Sequence, residues 1–200
     1  GGYLQKLFAS KSAHISGTLT AGDENGFAAT FYAGKIHRNV FVNSLDVNFT
    51  SAITIDTQIE NPTGIGNVYS ASKIINMIAQ SEEWLTQHIG KKYTFSFWIY
   101  AKQACQLSIL QNDKAIGTVQ IPIDDTNIWS RKKVTFELQT PKQAEEALVL
   151  SIASTFDTSD NAGESIFYFS SPQLEAGELV TQYQPTDTIL NYTEDYGAWF

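Results

Sequence analysis

The stretch from Lys91 to Lys102, KKYTFSFWIYAK, restricts the fold of this chain more than any other. In it Tyr93, Phe95, Phe97 and Ile99 alternate with Thr94, Ser96, Trp98 and Tyr100. A period of two, dense in aromatic residues and preceded by a breaker at Gly90, is the signal of a β-strand. Successive side chains of a strand point to opposite faces. One face here carries four large apolar groups, and the other carries two polar groups followed by two aromatics. Neither face reads as simply solvated. The pattern predicts a central strand of a two-sheet structure, with one face in the core and the other beneath a second layer, a loop or a ligand.

Short strand-like segments recur along the chain. Asn39 to Ser44, Ala52 to Thr57 and Ile74 to Ala79 precede the aromatic strand. Cys105 to Gln111, Thr118 to Ile123, Arg131 to Gln139, Leu148 to Ser154 and Ile166 to Ser171 follow it. The breaks between them are polar or turn-forming: Asn61 to Gly64, Asn112-Asp113, Asp124-Asp125, Pro141 and Asp157 to Gly163. One helix is predicted, with Ser81 as N-cap, Glu82 and Glu83 in the first turn, His88 near the end and Gly90 just past it. Trp84, Leu85 and Ile89 would plug one end of the β structure. Many short strands with almost no helical periodicity imply an all-β, antiparallel sandwich of jelly-roll type with one short helix.

At the N-terminus, Tyr3, Leu4, Leu7 and Phe8 are spaced for a turn or two of helix. Ile15 to Ile36 alternates weakly around the turn residues Asp23 to Gly26. A hairpin of that size buries little alone, so Gly1 to Arg38 is expected to be a β stem. The main domain then runs from Asn39 to Thr186, and Asp187 to Phe200 is an aromatic tail holding Tyr192, Tyr196, Trp199 and Phe200. Such aromatic density is costly to leave exposed, and a subunit contact is favoured over folding back.

Composition narrows the function. The 200 residues are 42% hydrophobic and 17% charged, enough for a real core. A formal net charge of -8 argues against nucleic acid or an anionic membrane as partner. No apolar run approaches the ~20 residues that span a bilayer, and no secretory signal is recognisable. The chain starts Gly1-Gly2, as expected for a fragment, a processed product or a chain carrying a tag remnant. The single cysteine, Cys105, has no partner for an internal disulfide and alternates with Leu107 and Ile109 as a small buried hydrophobe.

The order of segments carries a resemblance. GKKYTFSFWIYAK, then Trp129 before RKKVTFEL, then LVLSIAS, then FYFSSPQLEAGELVTQYQPT resembles the carbohydrate-binding-module-like jelly rolls (family 4/9 type, galactose-binding-like). The similar variant is the one found in bacteriophage and prophage tail-fibre and minor tail proteins. The closing residues are Gln173, Leu174, Glu175, Gly177, Thr181, Tyr183, Pro185 and Thr186, and the opening RNVFVNS is similar too. The resemblance spans Asn39 to Thr186 and speaks more to fold than to function. It implies a virion or extracellular location, other tail proteins and a bacterial surface polysaccharide as partners, and a homotrimer. Relatives often carry an Asp pair where this chain has Ser170-Ser171, so a calcium site is not carried over.

No catalytic set is legible. His14, His37 and His88 are far apart and read as surface or packing residues. Asp124-Asp125, Glu145-Glu146 and Glu82-Glu83 are adjacent pairs without a cleft, and no metal, cofactor or phosphate-loop pattern occurs. For binding, the informative residues are aromatics that core packing does not require, since a sugar presents an apolar face ringed by hydroxyls. The expected carbohydrate contacts are Trp98 and Tyr100, with Gln106 and Ser108 or Lys133 and Glu137 beside them if the strands pair as in the resembling domains. Against this stands packing of Trp98 and Tyr100 under the helix or the stem. Trp129 and Trp84 read as structural. The expected role is non-catalytic attachment to a bacterial glycan. Its alternatives are a structural tail module without ligand, or a binding module from a secreted polysaccharide-degrading enzyme.

Overall fold

The computed structural model describes residues 18–22, 28–32, 35–141, 143, 145–155 and 167–187, and up to residue 37 it defines the backbone path alone. Strands β1 (Thr18–Gly22), β2 (Ala28–Tyr32) and β3 (Lys35–His37) form an antiparallel sheet in that order, so the expected stem hairpin has a third strand. The Tyr3 to Phe8 cluster, His14, the turn Asp23 to Gly26, the loop Asp157 to Gly163 and the tail beyond Asp187 lie outside the described residues.

The rest is a two-sheet antiparallel sandwich. Strands β4 (Thr54–Asp56), β5 (Val68–Ala71), β7 (Lys92–Ala101), β10 (Ser130–Glu137) and β12 (Phe167–Ala176) form one sheet of order β10-β7-β12-β5-β4. Strands β6 (Ile74–Gln80), β8 (Cys105–Gln111), β9 (Lys114–Ile121) and β11 (Leu148–Ser154) form the other, of order β6-β11-β8-β9. The aromatic strand β7 is interior, paired with β10 on one side and β12 on the other. Its odd-numbered side chains, Tyr93 to Ile99, are at most 2% exposed. They pack as a run of rings: Phe41 on Phe95 at 6.2 Å, Phe95 on Phe97 at 5.0 Å and Phe97 on Phe169 at 6.0 Å. Ile75, Met77, Ile109, Leu150 and Ile152 of the opposite sheet complete the core, and none is exposed. Each such side chain contributes about 1.5–3 kcal/mol on burial. The edges close tightly at Gly117 of β9, where an added Cβ would lie 2.5 Å from Val134 Cγ1 of β10.

Helix α1 (Glu82–His88) forms as its caps predict. Ser81 Oγ accepts from the Trp84 N–H at 3.2 Å, and Gly90 takes φ +80°. Leu85 is buried and Trp84 meets Tyr93 edge-on at 5.2 Å. Ile89 does not join them, being 40% exposed. His88 fills that place instead, buried, stacked on Trp84 at 4.1 Å, with Nδ1 2.6 Å from the Trp84 carbonyl.

Three strand expectations change. Asn39 to Ser44 is not a strand but an extended entry running into a turn. Its backbone is tied by Val40 N–H to Leu174 O and Val42 N–H to Ala79 O. Strand β5 was not anticipated. The last strand does not stop at Ser171 but continues to Ala176 through an irregularity at Ser171, where φ is +52°. Cys105 is half-buried, and burial pushes its thiol up to about 11.

Candidate functional site on the outer face of the five-stranded sheet

The even-numbered side chains of β7 point away from the core, and the register fixes their neighbours. Tyr100 stands opposite Tyr168 of β12, Tyr168 opposite Ser70 of β5, and Ser70 opposite Thr54 of β4. On the other side the chain entering β10 lays Trp129 against Tyr100. The Tyr100 and Trp129 rings are 5.8 Å apart at 63°, and those of Tyr100 and Tyr168 are 5.6 Å apart at 76°. A row of three rings therefore crosses the sheet, ending in two hydroxyls. Tyr100 and Trp129 are half-buried and Tyr168 is 7% exposed. Lys102 Nζ lies 6.0 Å from the centre of the Tyr168 ring, within cation–π range.

The next row pairs half-buried Trp98 with Arg131 and Ser170. The β4–β5 connection reaches across this part of the face. The Trp129 indole N–H donates to Glu60 O at 3.0 Å, and the Thr63 and Ser171 hydroxyls meet at 2.9 Å. Asn61 Oδ1 accepts from the Thr63 N–H and from its hydroxyl. Ser170 and Ser171 thus sit in a neutral hydroxyl and amide network. Among the described residues no group of three His, Cys, Asp or Glu side chains gathers to hold a metal ion.

The remaining rows are closed by the segment after β12. Glu175, fully buried, accepts from Gln173 Nε2 at 2.7 Å, from the Thr181 hydroxyl at 2.7 Å and from the Thr181 N–H at 3.1 Å. Arg131 Nη1 donates to Thr181 O at 2.6 Å and Nη2 to Ser96 Oγ at 3.1 Å. Burial lowers the affinity of that guanidinium for its proton, and Glu175 acts the other way. Asn39 locks the entry of the domain to its exit. Its Nδ2 donates to Pro172 O and Gln184 O, and its Oδ1 accepts from the Phe41 and Leu174 N–H groups. Tyr183 OH meets Ser44 Oγ at 2.9 Å, and the Thr186 N–H donates to that same Oγ at 2.9 Å. Most residues of the closing motif read from sequence hold a specific place in this clasp.

Of the expected contact residues, Trp98 and Tyr100 share the outer face. Lys133 is on it too, exposed and opposite Ser96. Glu137 is exposed at the far end of β10, opposite Lys92 and away from the ring row. Gln106 and Ser108 are not beside the aromatics. Strand β8 pairs with β9 and β11 in the other sheet, where Gln106 Oε1 accepts from Gln120 Nε2 at 2.8 Å. Trp129, read as structural, and Tyr168, not singled out, are the residues the sequence reading left out of the row. Their signals were a tryptophan one residue before a clean alternating strand, and the F-Y-F alternation that opens β12.

No protein-family model matches this sequence, and no curated protein matches it. Among solved structures the chain is similar to the tripod (BppUct-A-L) from the baseplate of bacteriophage Tuc2009. The TM-score is 0.45 at 14% identity, over 84% of this chain and 65% of that one, so it spans less than two thirds of that chain. It is similar to the CBM22-2 xylan-binding domain of Paenibacillus barcinonensis Xyn10C, with a TM-score of 0.44, 9% identity and coverage of 70% and 98%. It is also similar to the carbohydrate-binding module CBM6cm-2 of Cellvibrio mixtus lichenase 5A, in complex with cellotriose, at a TM-score of 0.38, 10% identity and coverage of 71% and 97%.

Proposed function

We infer that this chain is a non-catalytic attachment module of a phage or prophage tail-associated protein, and that it holds a bacterial surface glycan on its ring row. The observation that carries the reading is the line Trp129, Tyr100, Tyr168 across the outer face, with Trp98 behind it and Ser70 and Thr54 at its end. Aromatic faces take the apolar side of a pyranose, and the neighbouring hydroxyls and Lys102 suit its rim. The tail association is supported by the closing motif and its resemblance. Attachment of this kind is weak per site and gains strength from several copies on one particle.

The test is binding of the purified chain to an array of bacterial polysaccharides. Trp129→Ala and Tyr100→Ala are each expected to weaken a positive signal tenfold or more, with the circular dichroism spectrum unchanged. A signal that survives the double variant would overturn the placement on this row. A structural module without ligand is the second reading, favoured by the low exposure of Tyr168 and by the hold of Glu60 on Trp129. An empty array together with a lowered melting temperature in both variants would leave that reading alone.

A further inference from the structure

The connection between β4 and β5, residues 57–67, leaves one edge of the five-stranded sheet and reaches the tryptophan that precedes the strand at the other. One half-buried side chain organises it. Asn61 Nδ2 donates to three main-chain carbonyls, Ile65 O at 2.8 Å, Gly66 O at 3.2 Å and Asn67 O at 3.4 Å. Its Oδ1 accepts from the Thr63 N–H at 2.9 Å and from the Thr63 hydroxyl at 2.8 Å, and its own carbonyl accepts from the Gly64 N–H at 3.0 Å. Pro62 restricts Asn61 to extended backbone. Thr63 Oγ1 then pins the loop to the sheet, 2.9 Å from Ser171 Oγ of β12. The residue just before Asn61 is Glu60, whose carbonyl takes the Trp129 indole N–H at 3.0 Å.

Trp129 stands outside the ladder. The register of β10 begins at Ser130, opposite Ile99, so strand pairing does not set the indole. Its ring is held by Tyr100, 5.8 Å away and edge-on, and by the Glu60 carbonyl. We propose that Asn61 is the positioning residue of the ring row: it fixes the β4–β5 connection, thereby the Glu60 carbonyl, and thereby the tilt of Trp129. The inference rests on the row being the glycan-binding surface. A bond of this kind is gone once donor and acceptor are roughly 3.6 Å apart, so a loop displacement of ~1 Å releases the indole. The arrangement also gives the two ends of the row different tasks. An indole has a single donor, and here Glu60 takes it, so Trp129 offers a pyranose its ring faces and meets it by stacking alone. Hydroxyls for the rim of the sugar come from the other end, where Tyr168, Ser70 and Thr54 stand in register.

The indole N–H resonances of the isotope-labelled whole chain test this, with Trp129 assigned through Trp129→Phe. In Asn61→Ala the Trp129 resonance should move and its proton should exchange with solvent about tenfold faster or more. Asn61→Asp keeps an acceptor for Thr63 but lacks the donor, and should behave in the same way. Trp84, packed against Tyr93 at the opposite end of β7, should keep its resonance in both. Asn112→Ala controls for stability alone. Asn112 Nδ2 donates to Ala147 O at 2.9 Å beside the other sheet, so this variant should lower the melting temperature and leave Trp129 in place. On the polysaccharide array, both Asn61 variants should lose about tenfold or more of the signal that depends on Trp129. A Trp129 resonance unmoved in Asn61→Ala, an equal change at Trp84 or in Asn112→Ala, or undiminished glycan binding would each overturn the proposal. An array on which the wild type binds nothing, with the Trp129 resonance moved as expected, would remove the attachment reading and leave Asn61 as the residue that positions Trp129.

Discussion

The outer face of the five-stranded sheet holds Gln173 and Glu175 with no exposure at all, while that of the four-stranded sheet leaves Ile74 43% exposed. Both faces arise from the same period-two geometry, and what differs is the chemistry that each strand turns outward. A buried carboxylate or guanidinium costs several kcal/mol unless it is hydrogen-bonded. Thr181 of the closing segment accordingly donates to Glu175 and accepts from Arg131 Nη1, and Ser96 of β7 accepts from Nη2, while Arg131 Nε is left without a hydrogen-bond partner. The four-stranded face carries no such groups and sets no such demand. Covering a polar face thus commits the chain to many specific partners, which a neutral face does not require.

The contrast can be broken in measurable steps. Asn39→Ala removes three hydrogen bonds that join entry to exit, those with Pro172, Gln184 and Leu174, and strands buried backbone groups, so it should cost about 3–5 kcal/mol in guanidinium unfolding. A loss below 1 kcal/mol would show that the clasp is incidental. Raising the pH tests the same region. Burial pushes the Tyr183 hydroxyl up to about 12 from 10.0. The group binds its proton more tightly when folded, so its contribution is complete below pH 10 and is lost as the pH climbs to 12. The loss should be about 2–3 kcal/mol. In Tyr183→Phe that alkaline decline should shrink, at the cost of about 1 kcal/mol at neutral pH for the bonds to Ser44.

Variants on the other sheet should do far less. The Ser151 hydroxyl is buried without a hydrogen-bond partner, so Ser151→Ala should be neutral or stabilising by about 0.5–1 kcal/mol. A loss of 1 kcal/mol would mean that the hydroxyl is satisfied after all. Smallest of all is Cys105, whose half-buried thiol is pushed up to about 11. Alkylation at pH 8 should be slow in the folded chain and rapid once urea has unfolded it.

The sequence exposes what is encoded locally. Strand β7 and helix α1 are legible because a two-residue period and a Ser cap with a following Gly need no distant partner. The side of β7 on which Trp98 and Tyr100 lie follows from alternation alone. Which strand adjoins it does not, and Gln106 shows why: alternation assigns a residue to a face of its own strand, but membership of a sheet is decided by pairings far away in the chain. Strand β5 is too short to stand out and exists because β12 and β4 flank it. Asn39 to Ser44 has strand composition, yet the Asn39 side chain takes bonds that a ladder would have taken. Trp129 precedes a clean strand, a position that reads as packing, and its ring extends the row by one place only through the Tyr100 contact.

The clasp also has a mechanical meaning. Because Asn39 is bonded to Gln184, and Leu45 to Thr186, the two ends of the sandwich leave it side by side. Tension pulled between residues 38 and 187 therefore runs through a few short bonds at the base and bypasses the sheets and the ring row. A pull of that kind loads the base of the sandwich alone and does not pry the two sheets apart.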